Sequence, residues 1–206
     1  MPADLVLERI GDDLIEFRVD SPSAARSLAQ QLRDHEIGED VVAGLARVTV
    51  RFHPRDAASI SARIHDAVRT PKPDTQTIPV QHIDVHYGGD EGPDLRGICD
   101  TLGLSQQAFI DLHTSQTHTV EMMGFTPGFA YISGLPDGLE IPRLADPRPR
   151  VPTGSVGISA AFTGLYALAG PGGWPLIGRT QASLFSPERT QPFLLSPGQP
   201  VKFRSV

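Results

Sequence analysis

Apolar positions near the start of the chain recur with two periods. Leu5–Ile10 and Leu14–Val19 are short apolar-rich runs around Gly11-Asp12-Asp13, predicting two strands joined by a turn. Ser21-Pro22 then offers an N-cap and a first-turn proline. Ala24, Ala25, Leu28, Ala29 and Leu32 follow on one face, so a helix is predicted to about His35. Val48–Phe52 alternates as a strand, and Ile60, Ile64 and Val68 space a second helix over Ala57–Val68. The order β-β-α-β-α predicts a small α+β sandwich with one sheet face covered by two helices.

The pattern stops at Thr70–Thr77, TPKPDTQT, which offers two prolines and nothing to bury. The expected domains are therefore residues 1–76 and 77–206. A strand over Ile78–Tyr87 and two helices, Pro93–Leu102 and Ser105–Thr114, are predicted to precede a barrel-like region from about Thr119. Within it, residues 124–180 hold 11 of the 20 glycines and 8 of the 19 prolines. The punctuation alternates with short apolar pieces containing Phe129, Tyr131, Ile158, Tyr166, Trp174 and Ile177. Such runs read as short strands joined by tight turns, and so many special backbone positions suit a shaped pocket.

Composition removes several classes of function. A net charge of −6 and a pI near 5.6 argue against nucleic-acid or anionic-membrane binding. No apolar run approaches the roughly 18 residues of a spanning helix. The first residues carry no secretory pattern, and Cys99 is the single cysteine, so a reducing cytoplasm is expected. Cys99 lies on the helical stripe Leu95, Ile98, Leu102, as a core thiol would. The helical pair around Gly103 resembles a helix-turn-helix, but Ser105–Thr114 has no Arg or Lys to meet phosphates. Lys72 and Lys202 are the only lysines and no GxxxxGK[ST] occurs, which excludes a self-contained Walker-type ATPase. His82, Asp84 and His86 share one face of a predicted strand, a possible metal-ligand set or simply a solvated face.

Arg143, Arg148, Arg150 and Arg179 lie among prolines and glycines, where the guanidinium fork can be placed for a carboxylate or phosphate or can pin loop carbonyls. His113 is a candidate general base or a helix C-terminal cation. Ser155 lacks the glycine two places earlier that a nucleophile elbow requires. Trp174 either floors a pocket or plugs the barrel.

The order GFTPGFAYISGLP, PRLADPRPRVPTGSVGI and TGLYALAGPGGWPLIGRT resembles the allophanate hydrolase subunit 1 family. That family is also described as the B component of bacterial ATP-dependent 5-oxoprolinase, as kinase-inhibitor-like proteins, and as subdomains C and D of the urea carboxylase carboxyltransferase domain. The resemblance covers about Ile83 to Val206, with VHYGGDEGPDLRGICDTLGLS fitting the segment before these motifs. It implies a ferredoxin-like α+β domain followed by a cyclophilin-like β-barrel. It also implies a subunit 2 partner, a further LamB/YcsF-type subunit, a small-molecule amide substrate, and ATP used by the complex to open 5-oxoproline to glutamate. Other implied roles are inhibition of a sensor histidine kinase and a carboxyltransferase component for a urea-like amide. Carried onto this chain, the candidate catalytic groups are His113 and Ser155. The candidate substrate-binding groups are Tyr131, Arg143, Arg150, Gly172, Gly173, Trp174 and Arg179. This chain reads AAFTG where the family usually has GGQTG, so Phe162 replaces a glutamine, and Ala167 replaces the proline after Tyr166.

Overall fold

The computed structural model describes residues 5–69 and 78–206, and the predicted linker falls outside the described residues. The chain divides into two compact units, Met1–Thr77 and Ile78–Val206. In the first, strands β1 (Leu7–Ile10) and β2 (Leu14–Arg18) precede helix α1 (Pro22–Asp34). Strands β3 (Asp40–Ala43) and β4 (Arg47–Arg51) and helix α2 (Ile60–Arg69) follow. Ser21 caps α1 as its sequence position predicts, its hydroxyl accepting from the Ala24 N–H at 3.1 Å.

The antiparallel sheet has the order β1-β2-β4-β3. β2 and β3, joined through α1, thus lie parallel with β4 between them, the split βαβ of a ferredoxin-like sandwich. The strand that usually closes this sheet at the end of the chain comes first here, as β1. Ile15, Phe17, Val48 and Val50 meet Ala25, Ala29, Leu32, Ile60 and Ile64 in one buried core. Periodicity does not reveal β3, because it is four residues long and its inward face is only Val41 and the small Ala43, while Val42 is exposed. The signal available was the β-branched pair Val41-Val42 just before Gly44, whose N–H closes a turn onto the Arg47 carbonyl at 2.8 Å.

The second unit contains β5 (Gln81–Tyr87), α3 (Leu95–Leu102), α4 (Gln106–Ser115), β6 (His118–Met123), β7 (Ala130–Ser133), β8 (Arg148–Val151) and β9 (Ser155–Ser159). β10 (Phe162–Leu165), β11 (Gly170–Gly172), β12 (Leu176–Arg179) and β13 (Pro200–Ser205) complete it. Seven strands close a barrel in the order β10-β7-β6-β13-β5-β12-β9, and β8 and β11 form a separate ribbon. The barrel therefore begins at β5 rather than at Thr119. β13 lies parallel to β5 from Val201 opposite Gln81 to Ser205 opposite Val85. Pattern alone cannot reveal a pairing between segments so distant in sequence.

Alternation on β5 is as the sequence predicts. Ile83 and Val85 are buried in the barrel, whereas His82, Asp84 and His86 face outward. Asp84 accepts from Arg204 Nε on neighbouring β13 at 2.7 Å. Cys99 is buried in the same core, and desolvation, then the Asp100 charge, raises its thiol pKa, making it a poor nucleophile.

Candidate functional site

The β6–β7 hairpin, the β8–β11 ribbon and the loops that flank the ribbon line a 220 Å³ cavity. Its lining is Phe125, Phe129, Tyr131, Arg143, Pro147, Tyr166, Pro171, Gly172, Gly173 and Trp174. Phe129 is the hub, edge-on to Tyr131 at 4.9 Å, Tyr166 at 5.0 Å and Trp174 at 5.7 Å between ring centroids. Tyr131 and Trp174 also meet edge-to-face at 5.7 Å. Each such pair contributes about 1 kcal/mol beyond area burial, so the aromatic box is rigid before anything enters it.

Two glycines permit this packing. A Cβ on Gly164 would stand 2.7 Å from Trp174 Cζ3 and 2.9 Å from Phe129 Cζ. One on Gly172 would stand 2.6 Å from the Tyr166 hydroxyl. Both are positions where ring and backbone approach too closely for any side chain.

Arg143 supplies the cation. Its guanidinium lies 5.9 Å from the Trp174 ring centroid, and the Leu144 N–H donates to the Gly173 carbonyl at 2.8 Å, fixing the loop above the indole. Among the described residues it makes no ion pair. Tyr166 completes the polar lining. Burial raises its pKa against the opposing effects of a hydrogen bond from the Trp174 backbone and the charge of Arg143, so the phenol stays protonated near neutrality.

Asp94 and Arg148, not counted among the substrate-binding candidates, brace the cavity wall. Asp94 heads α3 but makes no side-chain cap. Instead it accepts from Arg148 Nη2 at 2.7 Å and from the Leu176 N–H at 2.6 Å. Arg148 in turn stands opposite Gly172 in the ribbon. One carboxylate thereby ties the segment carrying Trp174 to both the ribbon and the helix. The signal that could have found this pair is that Asp94 and Arg148 both fall within the family's motifs.

Tyr131, Arg143, Gly172, Gly173 and Trp174 are thus brought together, and Phe125, Phe129, Pro147, Tyr166 and Pro171 join them. The other candidates are placed elsewhere. Arg150 is exposed on β8, outside the lining. Arg179 donates to the Thr153 carbonyl at 2.9 Å and to Glu91 at 3.2 Å, pinning a loop. Ser155 is buried in β9, where its carbonyl accepts from the Tyr166 N–H at 3.0 Å.

His113 departs furthest from the expected role. It is fully buried inside the barrel, with Nδ1 2.7 Å from the Tyr87 hydroxyl and Nε2 2.9 Å from Thr163 Oγ1. Phe109 stacks on the ring at 6.2 Å. Desolvation, then repulsion from His118, pushes its pKa down to about 3. A neutral, sealed imidazole between two hydroxyls is a polar pin in the core, away from the cavity. Phe162, at the position of the family's glutamine, packs half-buried against the aromatic cluster instead of presenting an amide.

Residues 7–195 match the model of the carboxyltransferase domain, subdomain C and D. The chain is 38% identical over 205 residues to the B component of 5-oxoprolinase from Escherichia coli O157:H7, covering 94% of this chain and 93% of that protein. The crystal structure of TTHA0988 superposes with a TM-score of 0.82 at 30% identity, over 94% of this chain. The chain spans only 40% of that protein's length. Kluyveromyces lactis urea carboxylase shares the fold at 17% identity, with a TM-score of 0.73 over 98% of this chain and 22% of that one. With its family model matched across both units, the chain belongs to the carboxyltransferase domain family, subdomains C and D.

Proposed function

We propose that this chain is the B component of a 5-oxoprolinase-like amide hydrolase and that the Arg143–Trp174 cavity receives the substrate. The observation that carries this reading is one unpaired guanidinium over an indole at the edge of a 220 Å³ aromatic box. A small lactam carboxylate has the matching parts, a flat amide ring for the aromatic walls and an anion for Arg143. The Tyr166 phenol, held protonated, is available to donate to oxygen that becomes negative as the amide is attacked. The similar Escherichia coli protein supplies the reaction class, that of a 5-oxoprolinase.

The cavity does not suit a nucleoside triphosphate, which is far larger and would set a polyphosphate against one guanidinium. Lys202, the one lysine among the described residues, donates to the Ser115 carbonyl. ATP and its phosphates therefore fall to other members of a cytoplasmic complex, a subunit 2 protein and a LamB/YcsF-type protein. This chain's share is to bind and orient the amide.

The test is coexpression with the neighbouring subunit 2 and LamB/YcsF-type proteins, then ATP-dependent conversion of 5-oxoproline to glutamate. Arg143→Met is expected to lower kcat/KM about 30-fold, equivalent to about 2 kcal/mol for a charge-assisted contact. Unchanged turnover in that variant would end the assignment. Membership of the carboxyltransferase family favours a second reading, in which the cavity takes a urea-like amide for carboxylation. Turnover that requires a biotin-bearing partner instead of the two other proteins would select it.

A further inference from the structure

Phe125 stands out in the second unit. The residue is 63% exposed, an unusual state for phenylalanine, and its φ is +71°, a region that bulky residues rarely adopt. The cause is local. The Thr126 N–H donates to the Gly124 carbonyl at 2.9 Å, which makes Phe125 the centre of a γ-turn with positive φ, the rare and strained form. Beyond it, the Phe129 N–H donates to the Thr126 carbonyl at 3.1 Å and the Gly124 N–H to the Phe129 carbonyl at 3.1 Å. The hairpin is thus hydrogen-bonded on both sides of the strained residue and holds it in place. Strain of this kind persists where the surroundings over-determine it, and it concentrates at ligand clamps.

The ring's position shows what the strain secures. Phe125 meets Phe129 edge-to-face at 5.6 Å, so it joins the aromatic box at its mouth. It is also the one residue common to the linings of the 220 Å³ cavity and of an open 790 Å³ groove, whose far side is formed by Gln191–Pro197. No charged side chain lines that groove. The phenyl ring is therefore a partition. On one side lies a small box with a cation, and on the other a larger uncharged space into which a longer ligand could extend.

We propose that Phe125 is the size-discriminating wall of the pocket, restricting it to a five-membered lactam carboxylate. The inference rests on the substrate reading given under Proposed function and adds the residue that sets ring size. Phe125 contacts no reacting amide atom in this scheme. It acts by denying a larger ring the volume beyond it. An added methylene rejected by an apolar wall changes affinity by about 10-fold or more, and that discrimination disappears when the wall is removed.

Trp174 is the only tryptophan in the chain and lines the cavity, so its fluorescence reports occupancy directly. The full chain is titrated with 5-oxoproline and with its six-membered homologue, 6-oxopiperidine-2-carboxylate. The wild type is expected to prefer the five-membered ring by about 10-fold or more. Phe125→Ala, which removes the ring, and Phe125→Gly, which also relieves the positive φ and guards against misfolding, should bring the two affinities within about 2-fold. Phe125→Tyr should keep the preference. A wild-type preference that survives in both truncated variants, or no preference in the wild type, overturns the role of Phe125 while leaving the pocket reading intact. If neither lactam perturbs Trp174 in the wild type, the substrate reading fails and this inference fails with it.

Discussion

His113 and Arg143 are both basic side chains drawn from the same motif-bearing part of the chain, and the second unit uses them in opposite ways. His113 is enclosed by Tyr87, Phe109, His118, Thr163 and Phe203, and both ring nitrogens are satisfied. Arg143 is exposed, lies over one indole face and keeps its hydrogen-bonding fork free of any carboxylate among the described residues. A place within the segment that the resemblance covers therefore does not say whether a residue serves the core or a ligand. The distinguishing quantity is unsatisfied hydrogen-bonding capacity facing space. Arg143 has it and His113 does not.

The largest expected effect follows from breaking the sealed side of this contrast. His113→Ala should cost about 4 kcal/mol of stability, because it opens a cavity and leaves the Tyr87 and Thr163 hydroxyls unpaired. Urea denaturation of the full chain measures this. A loss below about 1 kcal/mol would mean that the imidazole is not the pin described here.

The second effect is on pH dependence. His113 has a folded pKa of about 3 against an ordinary 6.5. A depressed folded value means the unfolded chain takes up a proton that the native chain refuses. The stabilisation is therefore complete above 6.5 and is lost as pH falls toward 3. Between about pH 7.5 and pH 5 the loss should be about 2 kcal/mol. Burial also lowers the His118 pKa, which adds to the same slope. Denaturation midpoints that stay flat over that range would contradict a neutral buried imidazole.

Gly164→Ala probes the open side by disturbing its wall. The added methyl would drive into the Trp174 and Phe129 rings, costing about 2 kcal/mol and displacing the indole from beneath Arg143. A shift in Trp174 fluorescence without added ligand is the direct readout, and an unchanged spectrum would show that the box tolerates the methyl. The smallest effect completes the comparison. Arg143→Met, the variant offered above as the test of the substrate reading, is expected to leave stability within about 0.5 kcal/mol, because an exposed cation with no ion pair among the described residues supports little in the fold.

Much of the first unit is readable from local pattern. β2, α1, β4 and α2 each announce themselves by period or cap, because each buries one face and leaves the other wet, and β1 by the turn that joins it to β2. β3 does not, since four residues with only Val41 and Ala43 facing inward carry too little pattern. In the second unit the motifs identify the cavity's region and several of its members, Tyr131, Arg143, Gly172, Gly173 and Trp174. They cannot exclude Arg179, whose fork is used by Glu91 and the Thr153 carbonyl, or Ser155 and His113, which the barrel buries.

The sequence by itself determined most of the segments that become strands and helices, because period, caps and turns are properties of neighbours along the chain. Tertiary structure alone decided that β5 lies beside β13, that Asp94 braces Arg148, and that one basic side chain is sealed while another stays open. Those outcomes depend on which distant segments exclude water from one another, a fact that no local window of the chain contains.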